Sequence, residues 1–169
     1  MISEQLVNEV NEQIKHEFFS AQLYLAMAAY CASEDLMGFA NFFKVQAEEE
    51  KFHAMKFFDY LIERGERTRL TALDPPKNDY SSVLDAFKFS YEHELFVTKR
   101  IYKLMDIAVD EREHATISFL KWFIDEQVEE ESMFSALVKK LERVDNNVSG
   151  LYMLDAELAQ RTFTPPATA

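Results

Sequence analysis

One spacing occurs twice in this chain. Glu17 is followed after 33 residues by Glu50 and three residues later by His53; Glu94 is followed after 33 by Gln127 and three later by Glu130. The second set is the first displaced by 77 residues, and the dipeptides His16-Glu17 and His93-Glu94 repeat with it. An interval of three places two side chains on one helix face, because an α-helix turns every 3.6 residues. Six groups able to bind metal, arranged as two half-sites, predict a two-metal centre between paired helical hairpins.

The punctuation agrees. Three glycines and four prolines (Gly38, Gly65, Gly150; Pro75, Pro76, Pro165, Pro166) leave long stretches without breakers. Apolar residues recur at helical spacing from about Ser3, a plausible N-cap, to Ala32, then from Gly38 to Arg64. A third helix opens at Ser82, where Ser-x-x-Asp85 makes a weak capping box, and a fourth follows Asp110. Between the second and third helices lies Glu66 to Ser81, with Pro75-Pro76, which is long for a compact domain. Such a linker runs the length of a bundle and leaves helices two and three parallel. After Asn146-Asn147 a short fifth helix is expected over Val148 to Gln160. The chain therefore reads as all-α, with one domain over residues 1–160 and a flexible C-terminal tail over 161–169.

A net charge of -12 argues against nucleic acid as a partner, since phosphates need a basic face, and favours cations instead. One cysteine, Cys31, excludes an internal disulfide and a Cys-rich metal site, and reads as a small buried hydrophobe in a reducing compartment. Nothing resembles a signal peptide, and no apolar run of about 18 residues is present to span a membrane, so a cytoplasmic location is expected.

Glu17 continues the stripe of Val10, Ile14, Ala21 and Tyr24; Glu50 and His53 continue that of Phe43 and Phe57. Glu94 sits between Tyr91 and Ile101, and Gln127 with Glu130 between Phe123 and Phe134. All six face inward near the midpoints of their helices, so they meet at one level. Burying four carboxylates together is prohibitive without compensation, and two divalent cations balance them. Oxygen-rich ligation with one imidazole suits iron or manganese.

This pattern resembles the ferritin-like di-iron family, specifically a non-haem ferritin of the bacterial or archaeal type, over Ser3 to Gln160. The resemblance implies a four-helix bundle with a long crossover between helices two and three and a short fifth C-terminal helix. It implies a ferroxidase centre of two irons per subunit, with Glu17 and His53 on one iron, Glu94 on the other, Glu50 bridging, and Gln127 with Glu130 completing the set. Haem is not expected, since a bacterioferritin would carry a methionine where Lys51 stands and Glu-x-x-His in place of Gln127-x-x-Glu130. Tyr24 matches a tyrosine that hydrogen-bonds near the metals and donates an electron. Glu49, Glu126 and Glu129, with Glu130, match a third iron site. The resemblance further implies a homo-oligomeric shell of 24 subunits that oxidises Fe(II) with O2 or H2O2 and stores Fe(III) as a mineral. The fifth helix, with Leu151, Leu154 and Leu158, is expected to bury its stripe against symmetry mates. The positions matching the acidic threefold-pore residues of animal ferritins are Ile117 and Leu120, which predicts an apolar pore.

Three weaker readings stand beside these. Trp122 reads as packing, His16 and His93 as solvated surface histidines, and His114 as a cap or junction residue. The competing functions are a di-iron oxidase or oxygenase acting on an organic substrate, a peroxide-detoxifying protein without mineral storage, and a metal-free helical interaction module. The last leaves the buried acids unexplained.

Overall fold

The computed structural model describes residues 2–144 and 147–166. Asn146 and the last three residues of the expected tail lie outside them. Among the described residues all regular structure is helical: α1 Glu4–Ser33, α2 Met37–Glu63, α3 Val83–Asp110, α4 His114–Arg143 and α5 Val148–Leu158. No helix is long and apolar enough to cross a membrane.

The helix ends follow from local chemistry. Ser3 accepts the Leu6 N–H at 3.1 Å, and Ser82 accepts that of Asp85 at 3.0 Å. Each supplies an acceptor for a first-turn amide that the helix itself leaves free. α2 closes at Gly65, whose φ of 77° lets its N–H reach Ile62 while Glu66 N–H reaches Leu61. α2 has no side-chain cap of its own at Leu36; the Asp155 carboxylate, brought in by α5, accepts the Phe39 N–H at 2.9 Å.

Contacts between helices fix their directions. Ser3 at the start of α1 donates to Glu111 just beyond α3, Ser20 meets His93, and Tyr30 packs on Tyr80 ahead of α3. α1 and α3 therefore run antiparallel. A turn over residues 34–36 makes α1 and α2 antiparallel as well, so α2 and α3 are parallel, as the crossover length predicts. The crossover is tied down at Asn11, whose side chain accepts the Arg69 N–H at 2.6 Å. α2 and α4 are antiparallel, since Phe57 stacks on Phe123 and Phe42 meets Phe134.

The core falls into two apolar halves. One holds Met27, Phe39, Phe43, Phe87 and Phe134; the other holds Leu6, Ile14, Phe57, Ile101 and Phe123. Cys31 lies buried in the first half, where burial pushes its thiol up to about 12. α5 differs from expectation in one respect. Leu154 and Leu158 join the first half of this chain's own core, with Leu151 packed beside them. Its outward face carries Val148, Tyr152 and Met153 instead. The cause is geometric: α5 folds back over the start of α2 so closely that a Cβ on Gly38 would meet the Asp155 carbonyl at 1.7 Å.

Candidate metal centre

Between the two apolar halves lies a polar layer. Glu17, Glu50, His53, Glu94, Gln127 and Glu130 are each no more than 4% exposed, so all six inward-facing assignments hold. Glu17, Glu50 and His53 bring three ligand atoms within 4.8 Å of one another. His53 Nδ1 lies 3.6 Å from Glu50 Oε2. Tyr24, stacked between Phe43 and Phe134, donates its hydroxyl to Glu94. Gln127 Nε2 donates to Glu94 Oε2 at 3.1 Å and to Thr98 at 3.2 Å.

Two glutamines complete the layer, and the sequence reading missed them. Gln13 Nε2 donates to Glu17 at 2.8 Å, and Gln46 Nε2 donates to Glu130 at 2.9 Å and Glu50 at 3.3 Å. The signal was available: each glutamine stands four residues before a glutamate of the first half-site, hence one turn away on the same stripe. The displacement by 77 residues hides it, since the equivalent positions are Ser90 and Phe123.

These donors do not neutralise the layer. Burial raises the carboxyls of Glu17, Glu50, Glu94 and Glu130 above their ordinary range; for Glu17 the neighbouring Glu50 adds to this, and for Glu50 and Glu130 the charge of Glu94 does. Without cations, burial therefore favours the protonated acids. Among the described residues Glu17 Oε2, Gln13 Oε1, Gln46 Oε1 and His53 Nε2 are buried with no hydrogen-bond partner. Of these, Glu17 Oε2 and His53 Nε2 belong to residues whose lone pairs converge with those of Glu50, and a cation would satisfy them.

A second group adjoins the first. Glu49, His53 and Glu126 also bring ligand atoms within 4.8 Å, with His53 Nε2 4.0 Å from Glu126 Oε2. Glu129 is exposed and stands at the rim of the same polar hollow, about 260 Å³ in volume. Glu130, expected to share this outer group, is engaged with Gln46 in the inner layer.

Three readings need correction. His93 is not a solvated surface residue: it sits in the α1–α3 seam, 2.7 Å from Ser20 Oγ and against Phe19, Tyr24 and Phe96, and His16 is likewise half-buried against Phe96. Leu120 is fully buried in the second apolar half and cannot line a pore between subunits, which leaves Ile117 as the half-exposed member of that pair. At the first residue of the expected tail, Arg161 pairs with Glu49 at 2.9 Å. Trp122 packs edge-on to His53, with Lys56 over its ring, and His114 is the exposed first residue of α4.

This architecture has close counterparts. Residues 7–144 match the family described as Ferritin-like domain. The bacterial non-heme ferritin of Staphylococcus aureus (strain USA300) is 48% identical over 163 residues, covering 96% of this chain and 98% of that protein. That of Staphylococcus saprophyticus is 45% identical over the same span. An open-pore ferritin from the hyperthermophilic archaeon Archaeoglobus fulgidus superposes with a TM-score of 0.95 at 46% identity, covering 96% of this chain and all of the other. An engineered closed form of the Archaeoglobus fulgidus ferritin reaches a TM-score of 0.96, covering 97% of this chain and 100% of its own. Likeness of sequence and of fold, each over nearly the full length, places the chain in the ferritin family, among its non-haem members.

Proposed function

We propose that this protein stores iron and oxidises it on the way in. The observation that carries the reading is the buried layer of four glutamates whose hydrogen-bond donors, among the described residues, are neutral. Each carboxylate gains more from a divalent cation than from Gln13, Gln46, Gln127 or Tyr24, and two such cations cancel four charges. The donor set, oxygen-rich with one imidazole and no thiolate, fits iron.

Iron is substrate here rather than a resident cofactor. Two Fe(II) per subunit occupy the inner layer, Glu17 and His53 holding one, Glu94 the other, with Glu50 between them; Gln127 and Glu130 complete the set. Two Fe(II) give up two electrons, which with two protons reduce O2 to H2O2, or H2O2 to water. Where O2 is carried on to two waters, with four protons, Tyr24, hydrogen-bonded to Glu94, supplies one further electron and a third Fe(II) the other. Glu49, Glu126 and Glu129 form an outer station for a third Fe on the way to the mineral. Subunits assemble into a 24-membered shell, in the cytoplasm, that encloses the ferric oxide. Aromatic rings close on the centre from both halves of the core, which disfavours an oxygenase needing room for an organic substrate.

Replacing Glu50 by Ala removes the carboxylate between the two positions. Rapid Fe(II) oxidation in stopped-flow measurements should fall at least about 100-fold, with helix content and assembly kept. An unchanged rate would reject the assignment.

A further inference from the structure

We infer that Arg161 is a resident cation at the outer group, and that metal bound through Glu49 competes with it. The inference rests on the proposed reading of the centre as an iron site. Arg161 donates to Glu49 Oε2 at 2.9 Å and lies over the Phe42 ring at 4.3 Å, its other amino group 3.4 Å from the Phe42 carbonyl. Its position is fixed from behind: Asn41 Nδ2 donates to the carbonyls of Leu158, Ala159 and Arg161 at 3.0 to 3.3 Å. From in front, Phe163 packs on Phe52, which in turn packs on His53. The strand of chain after α5 is thus strapped across the hollow that Glu49, His53 and Glu126 share.

The imidazole of the inner centre also borders this hollow. His53 is 2% exposed, lines this hollow, and its Nε2 is buried with no hydrogen-bond partner, 4.0 Å from Glu126. Of Glu49, Glu126 and Glu129, Glu49 is the one paired with a guanidinium among the described residues. A cation bound at Glu49 meets the charge of Arg161 on the same carboxylate, whether it takes Oε1 or displaces the guanidinium from Oε2. A guanidinium sandwiched between a carboxylate and a ring is held by charge, by its donor fork and by the aromatic face together. This competition makes the outer position weaker than the inner pair, so metal there is more easily passed on.

Zn(II) alone serves as the probe, titrated calorimetrically into the assembled, metal-free protein, with crystals soaked in Zn(II) to locate each site. Arg161→Gln should bind zinc at the outer position roughly fivefold more tightly, with the inner pair unchanged. Arg161→Lys, which keeps the charge, should stay near the wild type. In wild-type crystals with the outer position filled, the Arg161–Glu49 contact should be longer than in metal-free crystals. Equal outer affinity in wild type and Arg161→Gln, equal tightening by Lys and Gln, or no outer zinc in either protein would each overturn the inference. Absence of zinc from the inner pair would instead reject the functional reading beneath it.

Discussion

Every buried carboxylate of the centre is met by a neutral donor. Gln13, Gln46, Gln127 and Tyr24 orient Glu17, Glu50, Glu130 and Glu94 without cancelling their charge, where a lysine or arginine would compete with the metal. The acids themselves were legible because their types and spacing are unusual for a core. The amides were not, since a glutamine among apolar residues carries no pattern of its own and declares its role only through the atom it touches. His93 was misread for a related reason: its neighbour Glu94 faces inward, and a rotation of about 100° was taken to reach solvent, whereas it reaches the α1–α3 seam. Burial there lowers its imidazole from 6.5 to about 4. The folded state thus prefers the neutral ring. Its stabilising contribution is complete above about 6.5 and is lost as pH falls from there toward 4. Chemical denaturation of metal-free His93→Phe and wild type at pH 7.5 and 4.5 tests this. The loss on acidification should be smaller in the variant, by at most about 3 kcal/mol per subunit. Equal losses in the two proteins would show that His93 does not resist protonation.

The four long helices and their order were readable because each carries a continuous apolar stripe, and Ser3, Ser82 and Gly65 mark ends by known chemistry. Gly38 was read as a breaker opening the second helix, but it lies inside the first turn of α2. Its function is to leave space for another element 117 residues later in the chain, a relation that no local window contains. The same distance hides the Asp155 cap on Phe39 and the docking of Leu154 and Leu158 onto this chain's own core. Adding a methyl at Gly38 drives it into the Asp155 carbonyl, and backbone cannot move aside as a flexible side chain would. Gly38→Ala should therefore undock α5, remove the α2 cap and expose two leucines, costing about 3 kcal/mol or more. Hydrogen exchange should rise across the α5 amides while those of α1 and α3 stay protected. An unaltered denaturation midpoint would mean that α5 adjusts freely and that the close approach is incidental.

On the scale of the molecule, two hairpins bring the six buried polar residues of the proposed centre together within one chain. The site's completeness is thus separable from assembly, whereas storage of a mineral requires an enclosed volume. α5 links the two levels: with its leucines turned inward, it presents Val148, Tyr152 and Met153, exposed by 67%, 57% and 75%, on an 11-residue helix. Three large apolar side chains on one short element are more than a solitary subunit gains from exposing, and covering them by symmetry mates removes that surface from water. A carboxylate in such a contact would be desolvated without a partner and repeated at each copy. Met153→Glu should accordingly shift the assembled shell toward small species in native mass spectrometry and size-exclusion chromatography, with helix content unchanged. Subunits released in this way should still bind two Zn(II) at the inner pair, because Glu17, Glu50, His53, Glu94, Gln127 and Glu130 do not depend on a neighbour. They should fail to retain a ferric mineral in solution. Full-size particles in the variant would show that α5 is not a contact between subunits, and loss of inner-site zinc in the small species would show that assembly, rather than the single bundle, holds the ligands in place.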